Sequence, residues 1–347
     1  MRRLKIIVSI IVIVMVIVFL FFIFGIGRRP VVGVLLPIDS SGSYADTRAG
    51  ILTAIKELPR DVKFIDIDYT SSDVATVISD ALRDGVRYFV GSNTSSDIES
   101  IKGIMNGSKA ILIDSQLTNP GVINSVKNLY TVSSMDSIQA DAIASYIKFK
   151  QYRSITILKG IENQVYVDYL SSQTQKDLEL EGINSSLLKT SEINSIDSTP
   201  DCVVLVMSSN EAMAAMKEIR SKFGELPFIG SDWTLNQNLF DDLDVSKGMV
   251  TVGFTNINDT SLSFIDKIES LNVQIDSPSI LAYNAVEVIY ILAKNGITAD
   301  DAKNYLDKNI FFGANGSFSF KDKYVNSPIY FYEVEPMNYQ LVWKFGG

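Results

Sequence analysis

The sequence predicts an α/β protein of two doubly wound lobes, each built on a parallel sheet, behind one N-terminal transmembrane helix. Three observations carry that reading. Short apolar runs such as Val31-Val-Gly-Val-Leu-Leu36, Ala110-Ile-Leu-Ile113 and Cys202-Val-Val-Leu-Val206 have the pattern of strands covered on both faces, which marks parallel sheets. Amphipathic helical stretches and short loops lie between them, giving repeated βα units. The two halves of the body share that element order without a short sequence repeat, so two lobes of like build are expected.

The elements follow in order. Ile6 to Gly27 is an uncharged run of 22 residues, nearly all Ile, Val, Leu and Phe. As a helix it spans roughly 33 Å, enough to cross the hydrocarbon core of a membrane. It is longer than the apolar region of a cleaved signal peptide, and Arg28-Arg29 follow instead of a small-residue cut site or a lipobox-like cysteine. An uncleaved anchor at residues 1–29 is therefore expected. Arg2, Arg3 and Lys5 before the span outweigh Arg28 and Arg29 after it, which places the body outside the cytoplasm.

From Pro30 a strand leads through Pro37–Tyr44 to a helix near Asp46, whose Ile51, Ala54, Ile55 and Leu58 share a face. Strands at 62–69, 86–90, 110–113 and 129–132 alternate with helices from about Asp73 and Ser96. A second set begins with Asp136 as the cap of a helix to about Lys150, then a strand at 154–158 and a helix from about Tyr166 to Leu180, stopped by Gly182. Strands at 202–206, 227–229 and 249–252 follow, with helices at 210–222 and about Leu235–Asp242. Helical patterns at 262–271, 279–294 and 299–307 precede aromatic-rich β segments from Gly316 to Phe345.

Composition removes several function classes. Apolar residues make up 46% of 347, enough for a sizeable core. The formal charge of −9 becomes −14 once residues 1–29, with five basic groups and no acid, are set aside. A body that acidic, with no basic stripe, excludes nucleic acid as a partner. The chain has no histidine and one cysteine, Cys202, so Ser-His-Asp, Cys-His and His-ligated zinc chemistry are excluded, as is an intrachain disulfide. There is no Gly-rich phosphate fingerprint, no metal-ligand spacing and no catalytic motif, so no cofactor and no enzymatic activity are expected.

Two loops stand out, Gly91-Ser-Asn-Thr-Ser-Ser96 and Asp114-Ser-Gln-Leu-Thr-Asn-Pro120. Each follows a buried strand and is rich in hydroxyls and small residues. In open α/β sheets ligands bind beyond the carboxyl ends of strands, where helix N-termini offer unpaired N–H groups. A grip on the anionic end of a small solute is expected there.

At this point the chain resembles the type I periplasmic binding proteins, in particular the leucine/isoleucine/valine-binding branch that serves ABC importers. Val31–Pro37 with Ser43-Tyr-Ala-Asp46 and Gly50 is similar to that family's first strand, ligand loop and helix. Phe89–Ser96 and Leu112–Pro120 resemble its next two strands and their loops, and Tyr130–Asp136 with Gln139–Ala142 its passage into the second lobe. Phe228-Ile-Gly-Ser-Asp232, Gly248-Met-Val250, Gly313–Phe320 and Tyr330–Val334 resemble the later strands and closing hairpin. The likeness covers nearly all of residues 30–345, and it lies in the order and spacing of motifs that are individually unspecific.

The resemblance implies a ligand cleft between lobes joined by crossovers near 132–135, 253–257 and 325–328, with lobe 1 formed by 30–132 and 253–325 and lobe 2 by 133–252 and 328–347. It implies that at least one of Ser95, Ser96 and Thr118 holds an amino acid's carboxylate, a role compatible with the two serines' default reading as caps of the following helix. Asp232 matches the acid that takes the ammonium group, or it caps a helix beginning at Trp233. Tyr166 and Tyr44 match cleft tyrosines, though Val167 stands where a Gly is usual. Gln116 and Leu117 replace small residues, and Ser208 is placed to line the second lobe's wall. The function implied is capture of a small ligand, an amino acid, by hinge closure and its delivery to an ABC permease. A sensory receptor ectodomain and a non-binding structural ectodomain are the alternatives on the same fold.

Overall fold

The computed structural model describes residues 11, 15, 16, 29–36, 44–70, 73–336 and 338–346. The proposed membrane anchor, residues 1–29, lies outside the described residues except for positions 11, 15, 16 and 29, and no helix among the described residues is long and apolar enough to cross a membrane.

Two sheets organise the chain. The first takes β1 (Val31–Leu35), β2 (Lys63–Ile67), β3 (Tyr88–Gly91), β4 (Ile111–Asp114) and β5 (Leu129–Thr131) in the parallel order β2-β1-β3-β4-β5. Its far edge is extended by β11 (Ile310–Gly313), β12 (Gly316–Lys321) and β13 (Tyr324–Val325), with β13 parallel to β5 and the other two antiparallel. The second sheet takes β6 (Ser154–Lys159), β7 (Asn184–Lys189), β8 (Cys202–Val206), β9 (Phe228–Gly230) and β10 (Val250–Gly253) in the parallel order β7-β6-β8-β9-β10. A final antiparallel hairpin, β14 (Ile329–Glu335) and β15 (Asn338–Phe345), adds to its β10 edge. The central strands β4 and β8 are buried along their whole length, which explains their unbroken apolar sequence.

The chain leaves the first sheet after β5, returns after β10, and leaves again after β13, so each lobe holds two or more separate stretches of sequence. Around the first sheet lie α1 (Ala45–Glu57), α2 (Val74–Arg83), α3 (Ser95–Gly107), α4 (Pro120–Ser125), α9 (Leu262–Glu269), α10 (Ser277–Lys294) and α11 (Ala299–Lys308). Around the second lie α5 (Asp136–Phe149), α6 (Gln164–Leu180), α7 (Ser209–Phe223) and the short α8 (Leu243–Ser246).

Helix α10 is buried on most of its circumference because it sits between α1 and the face of β1, β3 and β4. Gly50 makes that packing possible. A Cβ there would lie 2.1 Å from the Ser279 carbonyl oxygen, so any larger residue must push the two backbones apart.

Several sequence expectations need correction. Met135, not Asp136, occupies the cap position of α5, and the Asp136 carboxyl is turned inside as a fully buried group. The helix expected over 235–242 is instead two 3-10 turns, Asp232–Thr234 and Gln237–Phe240, because Leu235 and Asn236 between them are extended. Strand β7 escaped notice because an edge strand reading Asn-Ser-Ser-Leu-Leu-Lys is too polar to resemble the buried strands beside it.

Candidate functional site

The carboxyl ends of β3 and β4 carry the two polar loops, and one buried group ties them together. Asp114, the last residue of β4, accepts hydrogen bonds from the Asn93 amide (3.0 Å) and side-chain Nδ2 (2.8 Å), and from the Gln116 and Leu117 amides (both 2.9 Å). Burial pushes its carboxyl up to about 6, and the four N–H donors oppose a further rise. Asp114 thus fixes both loops in one frame.

Helix α3 starts from Thr94, whose hydroxyl accepts from the Asp97 amide at 3.1 Å while the Asp97 carboxylate accepts from the Thr94 amide at 3.1 Å. The cap is therefore Thr94, which leaves Ser95 in the first turn. Ser95 is buried and has no side-chain partner among the described residues, and it lines a cleft between the lobes. Ser92, Asn93 and Thr94 line it too, with Gln116 and Thr118 from the β4 loop and Tyr44 ahead of α1. The opposite wall is Asn163, Tyr166, Asp232 and Trp233 from the second lobe.

Six of the eight residues expected from sequence meet in this cleft: Tyr44, Ser95, Gln116, Thr118, Tyr166 and Asp232. Ser96 turns instead to the lobe interface, where its amide and hydroxyl both donate to Asn163 Oδ1 at 3.2 Å. Ser208 is not brought to the lining. It caps α7 by accepting from the Glu211 amide at 3.4 Å. Leu117 packs into the first lobe's core, so only Gln116 of that pair faces the cleft.

The second lobe's wall is acidic. Asp232 Oδ1 accepts from Tyr166 Oη at 2.6 Å and from Gln139 Nε2 at 2.8 Å, and the Asp232 amide donates to Gln139 Oε1 at 2.9 Å. Asp136 lies next to it, fully buried, within 3.3 Å of the same Gln139 Nε2. Burial and the Asp232 charge raise the Asp136 carboxyl well above the usual carboxylate range. Burial also raises Asp232, while the hydrogen bonds from Tyr166 and Gln139 oppose the rise. The Tyr166 hydroxyl is raised well above its ordinary value by burial and by both acids, which keeps it a donor. Its ring stands edge-on to Trp233 with centroids 5.7 Å apart.

The lobes are held close. Besides Ser96 and Asn163, Asn119 Nδ2 donates to the Val165 carbonyl at 2.9 Å, and the Gln237 amide donates to Asp46 Oδ2 at 3.2 Å. The cavity left between the walls is small, about 40 Å3. A wider opening of about 930 Å3 lies elsewhere between the lobes, lined by Asn210, Phe240, Asp241 and Asn272 among others. It lacks the convergent buried acids of the cleft. Among the described residues no cluster of three His, Cys, Asp or Glu side chains is arranged to hold a metal.

Asn163, Asn93, Gln139 and Asp114 are site residues that sequence reasoning did not single out. The one local signal was at Asn163, which takes a left-handed conformation (φ 42°) that Asn tolerates better than most residues.

No family model and no curated protein matches the sequence. Solved structures do match in shape. The leucine-binding protein LivK of Thermotoga maritima superposes with a TM-score of 0.81 at 16% identity, covering 91% of this chain and 98% of that one. LivJ of Streptococcus pneumoniae, a branched-chain amino acid transporter substrate-binding protein in complex with isoleucine, gives 0.79 at 17% identity, with 91% and 99% covered. A solute-binding protein of an ABC transporter from R. palustris, in complex with 4-hydroxybenzoate, gives 0.78 at 15% identity, with 91% and 96% covered. The two α/β lobes have the type I periplasmic binding fold.

Proposed function

We propose that this protein is an extracytoplasmic solute-binding protein that captures an amino acid between its lobes and presents the closed form to an ABC importer. It would be held at the membrane by residues 6–27 and would carry out no chemistry on its ligand. The observation that carries the reading is the charge of the cleft: Asp232, with Asp136 next to it, lies on one wall, and no Lys or Arg is among the described lining residues. A buried acid with no cationic side chain opposite it is costly, and a ligand ammonium relieves the cost. The other wall offers the start of α3 and the Ser95 hydroxyl, which suit a carboxylate. A ligand touching both walls stabilises the closed arrangement and shifts the population toward it. The solved neighbours support this reading by their own ligands, leucine and isoleucine among them.

The test is calorimetry on the full chain in mild detergent. Wild type binds at least one amino acid, and at a hundred times Kd that ligand adds about 2.7 kcal/mol to stability. Asp232→Ala weakens binding by about 2 kcal/mol or more, roughly thirtyfold in Kd, with little change in the unliganded melting temperature. Unchanged affinity removes Asp232 as the ammonium partner.

A further inference from the structure

Building on the amino-acid reading above, we infer that the ligand carries a small, uncharged, hydrogen-bonding side chain, a hydroxyl or a carboxamide, and not an aliphatic or aromatic one. The argument begins with what the cleft lacks for an aliphatic group. Hydrophobic transfer needs apolar walls, and none of the described lining residues is aliphatic. The aromatic residues there, Tyr44, Tyr166 and Trp233, each also carry a polar atom. The nearest aliphatic candidate, Leu117, is committed to the core of the first lobe.

What the cleft has is a set of half-used polar groups. Gln116 spends its Nε2 on the Thr47 hydroxyl at 2.6 Å, which leaves its carbonyl end as an acceptor. Asn163 spends Oδ1 on Ser96, which leaves Nδ2 as a donor. Ser92, almost wholly buried, adds a hydroxyl to the lining. These groups are additional to Asp232 and Ser95, which the ammonium and carboxylate engage. A hydroxyl or carboxamide both donates and accepts, so it can satisfy Gln116 and Asn163 together.

An isobutyl or phenyl side chain would expel water from the same groups and return nothing. Each buried polar group left unpaired weakens binding by about ten- to a hundredfold. A second carboxylate on the ligand would meet no cationic side chain among the described lining residues. A ligand lysine side chain would bring a second cation to a cleft whose described lining residues include one acid, Asp232. The limited room between the walls also disfavours large side chains.

Calorimetry and thermal shift on the full chain in mild detergent would compare serine, threonine and asparagine with leucine, isoleucine, glutamate, lysine and 4-hydroxybenzoate. The inference expects at least one of the first three to bind a hundredfold or more tighter than any of the rest. It expects Gln116→Leu to weaken that polar ligand about tenfold or more and to narrow the gap to leucine, with the fold verified by circular dichroism. Leucine, isoleucine, glutamate or lysine binding as tightly as the best polar amino acid overturns the inference but leaves the amino-acid reading standing. If 4-hydroxybenzoate binds and no amino acid does, both fail. A Gln116→Leu chain that folds and keeps wild-type selectivity also overturns the assignment.

Discussion

Replacing Asp276 by Asn should stabilise this protein at neutral and alkaline pH and do little in acid. Asp276 caps α10 by accepting from the Ser279 amide at 2.8 Å through Oδ1, and it is fully buried against Asp46 of α1. Asp276 Oδ2 and Asp46 Oδ1 are buried with no hydrogen-bond donor, while Asp46 Oδ2 accepts from the Gln237 amide of the other lobe. Two carboxyl oxygens can satisfy each other only by sharing a proton. Burial, and then the Asp46 charge, raise Asp276 well above the usual carboxylate range, and burial raises Asp46. The Tyr339 hydroxyl also faces the pair, but it donates to the Asn236 carbonyl at 2.7 Å.

The sign follows from proton counting. Between the ordinary Asp value of 3.8 and the raised folded value, the folded chain holds a proton that the unfolded chain has released. Stability from this pair is therefore complete below 3.8 and falls as pH rises through the raised value. Asn caps as well as Asp does, and its Nδ2 donates to Asp46 at any pH. A hydrogen bond to a charged acceptor contributes about 1.5–3 kcal/mol, which for a chain this size amounts to roughly 2–4 °C in Tm. Calorimetric melts of both proteins from pH 4 to 9 should converge at the acid end and separate as pH rises, the variant melting higher. Parallel curves, or a variant that is less stable at pH 8, would refute the shared proton.

Three further outcomes are expected. Asn163→Ala removes the acceptor for both Ser96 donors across the lobes together with the Nδ2 donor that faces the ligand, so it should weaken ligand affinity about fivefold or more and increase the radius of gyration seen by small-angle scattering. Gly50→Ala drives a methyl toward the Ser279 carbonyl and should destabilise by about 1–3 kcal/mol in denaturant melts, since backbone cannot rotate away as a side chain can. Asp114→Ala leaves four N–H donors of the two loops without their shared acceptor, so it should cost about 3 kcal/mol or more and raise hydrogen exchange at Asn93, Gln116 and Leu117.

Strands buried on both faces announce themselves because nothing polar is tolerated in them, and β1, β4 and β8 were legible for that reason. An edge strand such as β7 has one solvated side and obeys no such rule. In the site, residues at strand ends before helices were readable, Ser95 and Thr118 among them. A strand-end serine is ambiguous, however. Thr94 and Ser208 cap helices, while Ser95, one position after a cap, is left facing the cleft. The residues that escaped notice act through partners far along the chain. Gln139 bonds Asp232 ninety-three positions away, and Asn163 bonds Ser96 sixty-seven away, and no local pattern records such pairings.

The passage of the chain back and forth between the sheets sets the order in which the molecule can be completed during synthesis. Strand β5 is made by residue 131, but its outer partner β13 ends at 325, and α10, which covers one face of β1, β3 and β4, ends at 294. At ribosomal speeds of about 5–20 residues per second, the first lobe waits roughly 10–40 s between its fifth strand and its last. An apolar sheet face stays uncovered until α10 is complete, and the strand edge of β5 stays open for the whole of that interval. The second lobe is begun and mostly built before the first is closed, so the nascent chain must be kept from pairing along that edge.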